Sequence, residues 1–224
     1  MGRTTGPEAA LYPIVKKWAE QSLKCWTVGI DTGPKLGRVD VVGVRDFGGG
    51  DLSARTEVVA IEVKRGSAAF AKSAGQALGY SVMADRCYLA KEGGFRDDEL
   101  VVAGSLGIGL IEISGHRAIE CLSAPPKAPL PELRLRLLEK LHCGVCSLCS
   151  TVFRLAEDGK QGFGRMVRAE KSNTIAVAAE RERGYMFWLI DAAEERDTRD
   201  RQMTYWRRYL CPDCVQALGR QGRS

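Results

Sequence analysis

Asp40, Glu62 and Lys64 are the residues of this chain best suited to metal-assisted chemistry. Glu62 and Lys64 end the run Val58-Val59-Ala60-Ile61-Glu62-Val63-Lys64, whose apolar start reads as a buried strand. Side chains alternate along a strand, so Glu62 and Lys64 share one face and Val63 takes the other. Desolvating charge is costly, so a carboxylate and an ammonium at the end of a buried strand call for a reason. A salt bridge at a strand end is one such reason. Asp40 supplies another. It interrupts Arg38-Val39-Asp40-Val41-Val42-Gly43-Val44, a second predicted strand, where Asp is disfavoured. Two carboxylates at neighbouring strand ends repel each other unless a cation lies between them. Hard oxygen ligands of this kind suit Mg²⁺, which keeps several waters and binds substrate phosphates. Lys64 beside them could hold or activate an attacking water. A metal, a positioned water and a cation near the phosphate are the parts that phosphodiester hydrolysis needs.

These residues need elements to position them. Pro7 to about Lys24 reads as a helix, with Leu11, Ile14, Val15 and Trp18 at helical spacing. Glu8 lies in its first turn, where the helix dipole favours an acid. Cys25 to Ile30 reads as a first strand, and Asp31-Thr32-Gly33-Pro34 as a turn. The strand at 38–44, the Gly48-Gly49-Gly50-Asp51 loop and the strand at 57–64 follow. Gly66 to about Ala84 reads as a helix, on which Gln76 and Tyr80, four apart, share a face. A strand at 86–90, a helix at 95–105 and a hairpin of 107–113 with 117–122 complete this part. Helices between strands imply crossovers and a mixed sheet.

Asp40, followed by Glu62-Val63-Lys64, resembles the D…(D/E)XK pattern of the PD-(D/E)XK nuclease superfamily, over roughly residues 7–122. Gln76-Ala77-Leu78-Gly79-Tyr80 is similar to the QxxxY motif of its RecB-like branch, and Glu8 to the first-helix acid of many members. Val39 stands where the pattern's name has Pro. The resemblance implies a restriction-endonuclease-like αβββαβ core. It implies that Asp40 and Glu62 ligate Mg²⁺ or Mn²⁺, with the Val63 carbonyl as third ligand, and that Lys64 orients or activates water. Glu8 would serve a second metal or a metal-bound water, and Gln76 and Tyr80 would steady the active-site face and the DNA strand. The implied activity is a nuclease, as an endonuclease, on DNA in preference to RNA, in restriction, phage defence or repair.

A stiff Pro-rich run, Pro125-Pro126-Lys127-Ala128-Pro129-Leu130-Pro131, marks a change of composition. Residues 1–130 carry 16 Lys and Arg against 15 Asp and Glu, whereas residues 131–224 carry 17 against 13, so the excess of cations lies beyond the run. The division is therefore a nuclease domain at 1–124, a linker at 125–131 and an Arg-rich domain at 132–224. After a short helix over 132–141, Cys143-x-x-Cys146 and Cys211-x-x-Cys214 form two equal spacings, which in a reducing compartment read as a tetrahedral Zn²⁺ site. The 64 intervening residues must then loop out and return. The pair before a terminal helix resembles a treble clef or zinc ribbon, giving a small α+β Cys-rich zinc-binding domain, a zinc finger in the broad sense. Cys149 makes the first run C-x2-C-x2-C, the spacing of iron–sulfur ligation, and is the alternative to zinc. Cys25, Cys87 and Cys121 read as small core hydrophobes. Residues 175–183 read as a helix, 185–190 as a strand and 197–209 as a helix. Arg201, Arg207 and Arg208, interleaved with Tyr205, Trp206 and Tyr209, are the candidates for backbone contacts to nucleic acid. Nearby acids offer a plain solvated helix face instead.

A net charge of +5 is compatible with a polyanionic partner. No apolar stretch approaches the roughly 18 residues of a membrane span, and the N-terminus lacks a secretory signal, which gives the expectation of a cytoplasmic protein without membrane association. Two histidines, His116 and His142, speak against histidine-dependent hydrolysis. A non-catalytic nucleic-acid-binding or scaffold protein with the same fold is the competing expectation, and a homodimer is left open.

Overall fold

The computed structural model describes residues 8–34, 37–47, 55–146, 149–154, 185–189 and 206–211. Two compact units divide the chain, Met1–Leu141 and His142–Ser224.

The first unit is a mixed α/β fold. Helix α1 (Tyr12–Gln21) follows a short 3₁₀ turn, Ala9–Leu11. Strands β1 (Thr27–Thr32), β2 (Val39–Phe47) and β3 (Arg55–Lys64) come next, then α2 (Phe70–Gly79), β4 (Arg86–Glu92), α3 (Asp97–Leu106), β5 (Gly109–Ser114), β6 (Arg117–Leu122) and α4 (Pro131–Lys140). The six strands form one sheet in the order β1-β2-β3-β4-β5-β6. β3 runs parallel to β4, and β4 to β5; the other pairs are antiparallel. The helices α2 and α3 are the connections that the two parallel pairs require. The expected succession of helix, three strands, helix, strand, helix and hairpin is the one observed. Among the described residues, no helix is long and apolar enough to cross a membrane.

The period-2 alternation of β3 builds the centre. Val59, Ile61 and Val63 join Val41, Tyr88, Ala90, Ile111 and Ile113 in a core closed by Leu11 of the 3₁₀ turn and by Val15, Trp18 and Ala19 of α1. The intervening residues Val58, Ala60 and Glu62 are buried too, so β3 is covered on both faces. This explains its near-continuous apolar run. α2 packs on β3 and β4 through Ser73, Ala74 and Ala77, whose small side chains let the helix approach closely. Gly109 is a steric requirement, since a Cβ there would lie 2.3 Å from the Tyr88 ring.

Several boundaries differ from expectation. The first helix ends at Gln21, and the second spans Phe70–Gly79 before a 3₁₀ turn, Tyr80–Val82. β1 continues through Asp31 and Thr32, which had read as a turn, because Thr32 pairs with Val39. The Pro-rich run is not a free spacer. The Lys127 N–H donates to the Asp85 carbonyl at 2.7 Å and the Leu130 N–H to the Val82 carbonyl at 2.9 Å. Arg134 on α4 then donates through Nε to Asp85 Oδ2 at 2.8 Å and through its terminal nitrogen to the Thr56 carbonyl at 2.7 Å. Asp85 is 3% exposed and also accepts the Val58 N–H at 2.7 Å. These bonds, with Leu137 and Leu138 fully buried, bind α4 into the first unit. The boundary therefore falls after Leu141 rather than at 125–131.

Among the described residues, the second unit contains two antiparallel pairs. β7 (Cys143–Val145) pairs with β8 (Val152–Arg154), and β9 (Tyr185–Leu189) with β10 (Trp206–Leu210). The strand expected at 185–190 is thus present over Tyr185–Leu189. The helix expected over 197–209 is overturned at its end, because Trp206–Leu210 is a strand in register with β9. Short aromatic-rich runs satisfy either period, and cross-strand pairing decided this one. Arg207 and Arg208 lie on β10. Arg201, Cys214 and the segments 175–183, 197–205 and 215–218 lie outside the described residues.

Candidate active site

Sheet register brings Asp40 and Glu62 together. β2 and β3 pair up to Val41 with Ile61, and the next residue on each strand is the carboxylate. At this point the backbone ladder gives way to a side chain, since Asp40 Oδ2 accepts the Val63 N–H at 2.8 Å. N–H and C=O of a strand residue point the same way, so the Val63 carbonyl also turns toward β2 and Asp40. Glu62 is 2% exposed. Its Oε1 accepts from Lys64 Nζ at 2.7 Å, and its Oε2 from the Tyr80 hydroxyl. The expectation that Glu62 and Lys64 share a face, with Val63 in the core, is met.

Glu8 makes no capping bond to the helix it precedes. Its carboxylate reaches Lys64 Nζ at 3.3 Å and forms an ion pair there. Lys64 therefore stands between Glu62 and Glu8. Gln76 is placed apart from this group: it is exposed on α2 and lines a cavity of about 320 Å³ with Arg38, Gly75, Gly79 and Tyr80. Tyr80 joins the cavity to the carboxylates, for its hydroxyl also lies 3.0 Å from the Arg38 carbonyl.

Tyr12 was missed by sequence reasoning. Its hydroxyl donates to Asp40 Oδ1 at 2.8 Å. A signal was present, because Tyr12 follows the site's first acid, Glu8, by four residues and opens the helix that comes after it. Four carboxylate oxygens on two strands are thus each met by one donor: Tyr12, the Val63 amide, Lys64 and Tyr80.

The electrostatics follow from crowding. Burial, and then the charge of Glu62, push the Asp40 carboxyl up to about 6, against the pull of the Val63 amide, Tyr12 and Lys64. Burial and Asp40 raise the Tyr12 phenol, and burial and Glu62 raise that of Tyr80, so both remain donors. Burial disfavours the Lys64 ammonium, yet the hydrogen bond and charge of Glu62, with Glu8 and Asp40 behind it, carry its pKa above the ordinary value. A buried carboxylate that repels its neighbour and retains lone pairs is a fitting donor set for a hard divalent cation.

In the second unit, Cys146, Cys149 and Cys211 offer sulfur atoms that all lie within 4.8 Å of one another, a group able to hold a metal ion. Cys149 Sγ is 3.6 Å from Cys211 Sγ. The turn between β7 and β8 builds the group, as the Cys146 N–H donates to the Thr151 carbonyl at 2.8 Å and the Ser150 N–H to the Cys146 carbonyl at 2.9 Å. Of the expected set Cys143, Cys146, Cys211 and Cys214, this group contains Cys146 and Cys211, and Cys149 joins them. Cys143 lies buried in β7. Hydrogen bonds from Thr151, aided by Cys146 and Cys211, draw the Cys149 thiol down to about 6, toward the thiolate that binds metals. Burial pushes the Cys143 thiol up to about 12. Cys25 and Cys87 are buried in the core as expected, whereas Cys121 is exposed on β6. That strand's burial shows no clean alternation, which removes the basis for placing Cys121 inside.

No family model matches the chain, and no curated protein matches it. A solved protein of unknown function from Silicibacter pomeroyi is similar at 24% identity over 62% of this chain and 86% of its own, with a TM-score of 0.45.

Proposed function

We propose that the chain is a divalent-metal-dependent nuclease of the PD-(D/E)XK type, acting on DNA in preference to RNA. The observation that supports this most is the joining of Asp40, Glu62 and Lys64 at one end of β2 and β3, with Glu62 to Lys64 at 2.7 Å and Asp40 to the Val63 amide at 2.8 Å. Asp40, Glu62 and the Val63 carbonyl would hold Mg²⁺ or Mn²⁺. Such an ion supplies charge neutralisation at the phosphate and a more acidic water. Lys64, held by Glu62 and Glu8, orients the attacking water and offers a proton donor near the leaving oxygen. Tyr80 and Asp40's partners keep the carboxylates from swinging away. The cavity bordered by Arg38, Gly75, Gln76 and Gly79 suits the nucleotide next to the scissile bond.

Zn²⁺ bound by Cys146, Cys149 and Cys211, with Cys214 as the fourth thiolate by its C-x2-C spacing, is the proposed role of the cysteine group; an iron–sulfur cluster is the alternative. A non-catalytic nucleic-acid-binding or scaffold protein is favoured by one feature, that every oxygen of Asp40 and Glu62 already has a hydrogen-bond donor.

The deciding experiment incubates plasmid, linear duplex and single-stranded DNA, and RNA, with Mg²⁺ or Mn²⁺ and either wild type or Lys64→Ala. Cleavage by wild type that drops at least about 100-fold in the variant supports the proposal, the scale expected for loss of a proton-transfer group. Absence of cleavage on every substrate would sink it. Metal analysis of the purified protein separates zinc from iron with sulfide.

A further inference from the structure

Asp40 is held at both ends. Its Oδ2 accepts the Val63 amide, and its Oδ1 accepts the Tyr12 hydroxyl, each at 2.8 Å. One anchor comes from β3 and the other from α1, so neither the strand nor the helix fixes the carboxylate alone. The Tyr12 ring packs against the apolar core beneath α1, which sets the height of its hydroxyl. With both oxygens held, rotation about the carboxylate bonds is stopped, while each oxygen keeps a lone pair for a ligand.

Glu62 is held differently. The Tyr80 hydroxyl that donates to Glu62 has a second acceptor within reach, the Arg38 carbonyl at 3.0 Å. A hydroxyl has one proton, so Tyr80 can transfer its donation to Arg38 without losing a bond. Among the described residues the acceptor of the Tyr12 hydroxyl is Asp40. The pair is therefore asymmetric, with a fixed carboxylate on β2 and an adaptable one on β3.

We propose that Tyr12 is a positioning residue, whose hydroxyl holds Asp40 in the orientation that a divalent cation requires. This rests on the metal-dependent reading of the site. Groups that orient a metal ligand cost about 10–100-fold in affinity when removed. Without the hydroxyl, Asp40 keeps its Val63 bond but regains rotation, so binding a cation must freeze it.

The test is Mn²⁺ binding, read from the free-ion paramagnetic resonance signal at one fixed pH, for wild type, Tyr12→Phe, Tyr80→Phe and Asp40→Asn. Tyr12→Phe keeps the ring and is expected to raise the dissociation constant about 10–100-fold, with the melting profile of a folded protein. Tyr80→Phe is expected to raise it less, and Asp40→Asn to abolish this binding event. At saturating Mn²⁺, cleavage by Tyr12→Phe returns close to wild type, which separates positioning from chemistry. Unchanged affinity in Tyr12→Phe overturns the proposal while leaving the nuclease reading intact, as does a shift no greater than that of Tyr80→Phe. Loss of the fold in Tyr12→Phe also overturns it, since the hydroxyl would then serve stability. Wild type that binds no more Mn²⁺ than Asp40→Asn overturns both.

Discussion

Replacing Asp40 by Asn should stabilise the metal-free protein while destroying the proposed site. The folded chain holds the Asp40 carboxyl at about 6, against an ordinary value of 3.8. Because the folded value is the higher one, the native state keeps a proton that the unfolded state releases between these values. Stability from this group is therefore full below about pH 4 and is lost as pH rises through 6. A pKa raised by about 2 corresponds to about 3 kcal/mol, and partial solvent access reduces the expected loss to about 2 kcal/mol. Asn carries no charge at any pH, so it escapes the loss. Its amide can accept from Tyr12 or from Val63 but not from both oxygens, which costs about 1 kcal/mol at every pH. The readout is the difference in urea unfolding free energy, variant minus wild type, in buffer free of Mg²⁺ and Mn²⁺. The difference should climb by about 2 kcal/mol from pH 4 to pH 7, ending in favour of Asn. Titrating groups that do not interact with Asp40 cancel in it. A flat difference across this range would refute the claim that crowding with Glu62 and burial strain the ionised carboxylate.

Two further outcomes are expected elsewhere in the first unit. Gly75→Ala in α2 should raise unfolding free energy by about 1 kcal/mol, because Gly is costly within a helix and an added Cβ meets nothing within 4 Å; weaker binding of nucleic acid by this more stable variant would tie the cavity to the substrate, and a lower melting temperature would contradict the open space. Arg134→Ala leaves the buried Asp85 with its amide partner alone and should destabilise the first unit by roughly 3 kcal/mol in chemical denaturation, whereas a loss under about 0.5 kcal/mol, the range of an ordinary surface change, would show that α4 is not clipped through this pair.

Much of the first unit was legible because its pattern is simple. The apolar run of β3 and the alternation around Asp40 placed both carboxylates on paired strands, and the paired register confirms it. Tyr12 was legible only through its spacing from Glu8, since a tyrosine at helical spacing reads as packing, and its ring does pack; its hydroxyl gains meaning from a strand 28 residues away. Asp85 and Arg134, 49 residues apart, are similar. Each is an ordinary surface-type residue in sequence, and their pairing follows from how α4 returns to the sheet. The Pro-rich run looked like a spacer because composition reports stiffness and not contacts. Among the cysteines, the equal spacings pointed to Cys146 and Cys211, whereas Cys149 joins them through proximity that spacing alone does not report.

The sheet's strand order has a consequence for how the unit assembles. Every strand pairs with its immediate predecessor in the chain, from β1 through β6. No strand must wait for a distant partner, so loop-closure entropy at each addition stays small, and short-range pairing of this kind favours fast folding. A chain emerging from the ribosome could add strands one at a time. The carboxylates, Lys64 and both tyrosines all lie before residue 81 and would meet early, with the apolar sheet still partly open. α4, the last element, then buries Leu137 and Leu138 and ties Asp85 to Arg134. The helix that begins at the end of the proline run thus closes the first unit after the site residues have been made.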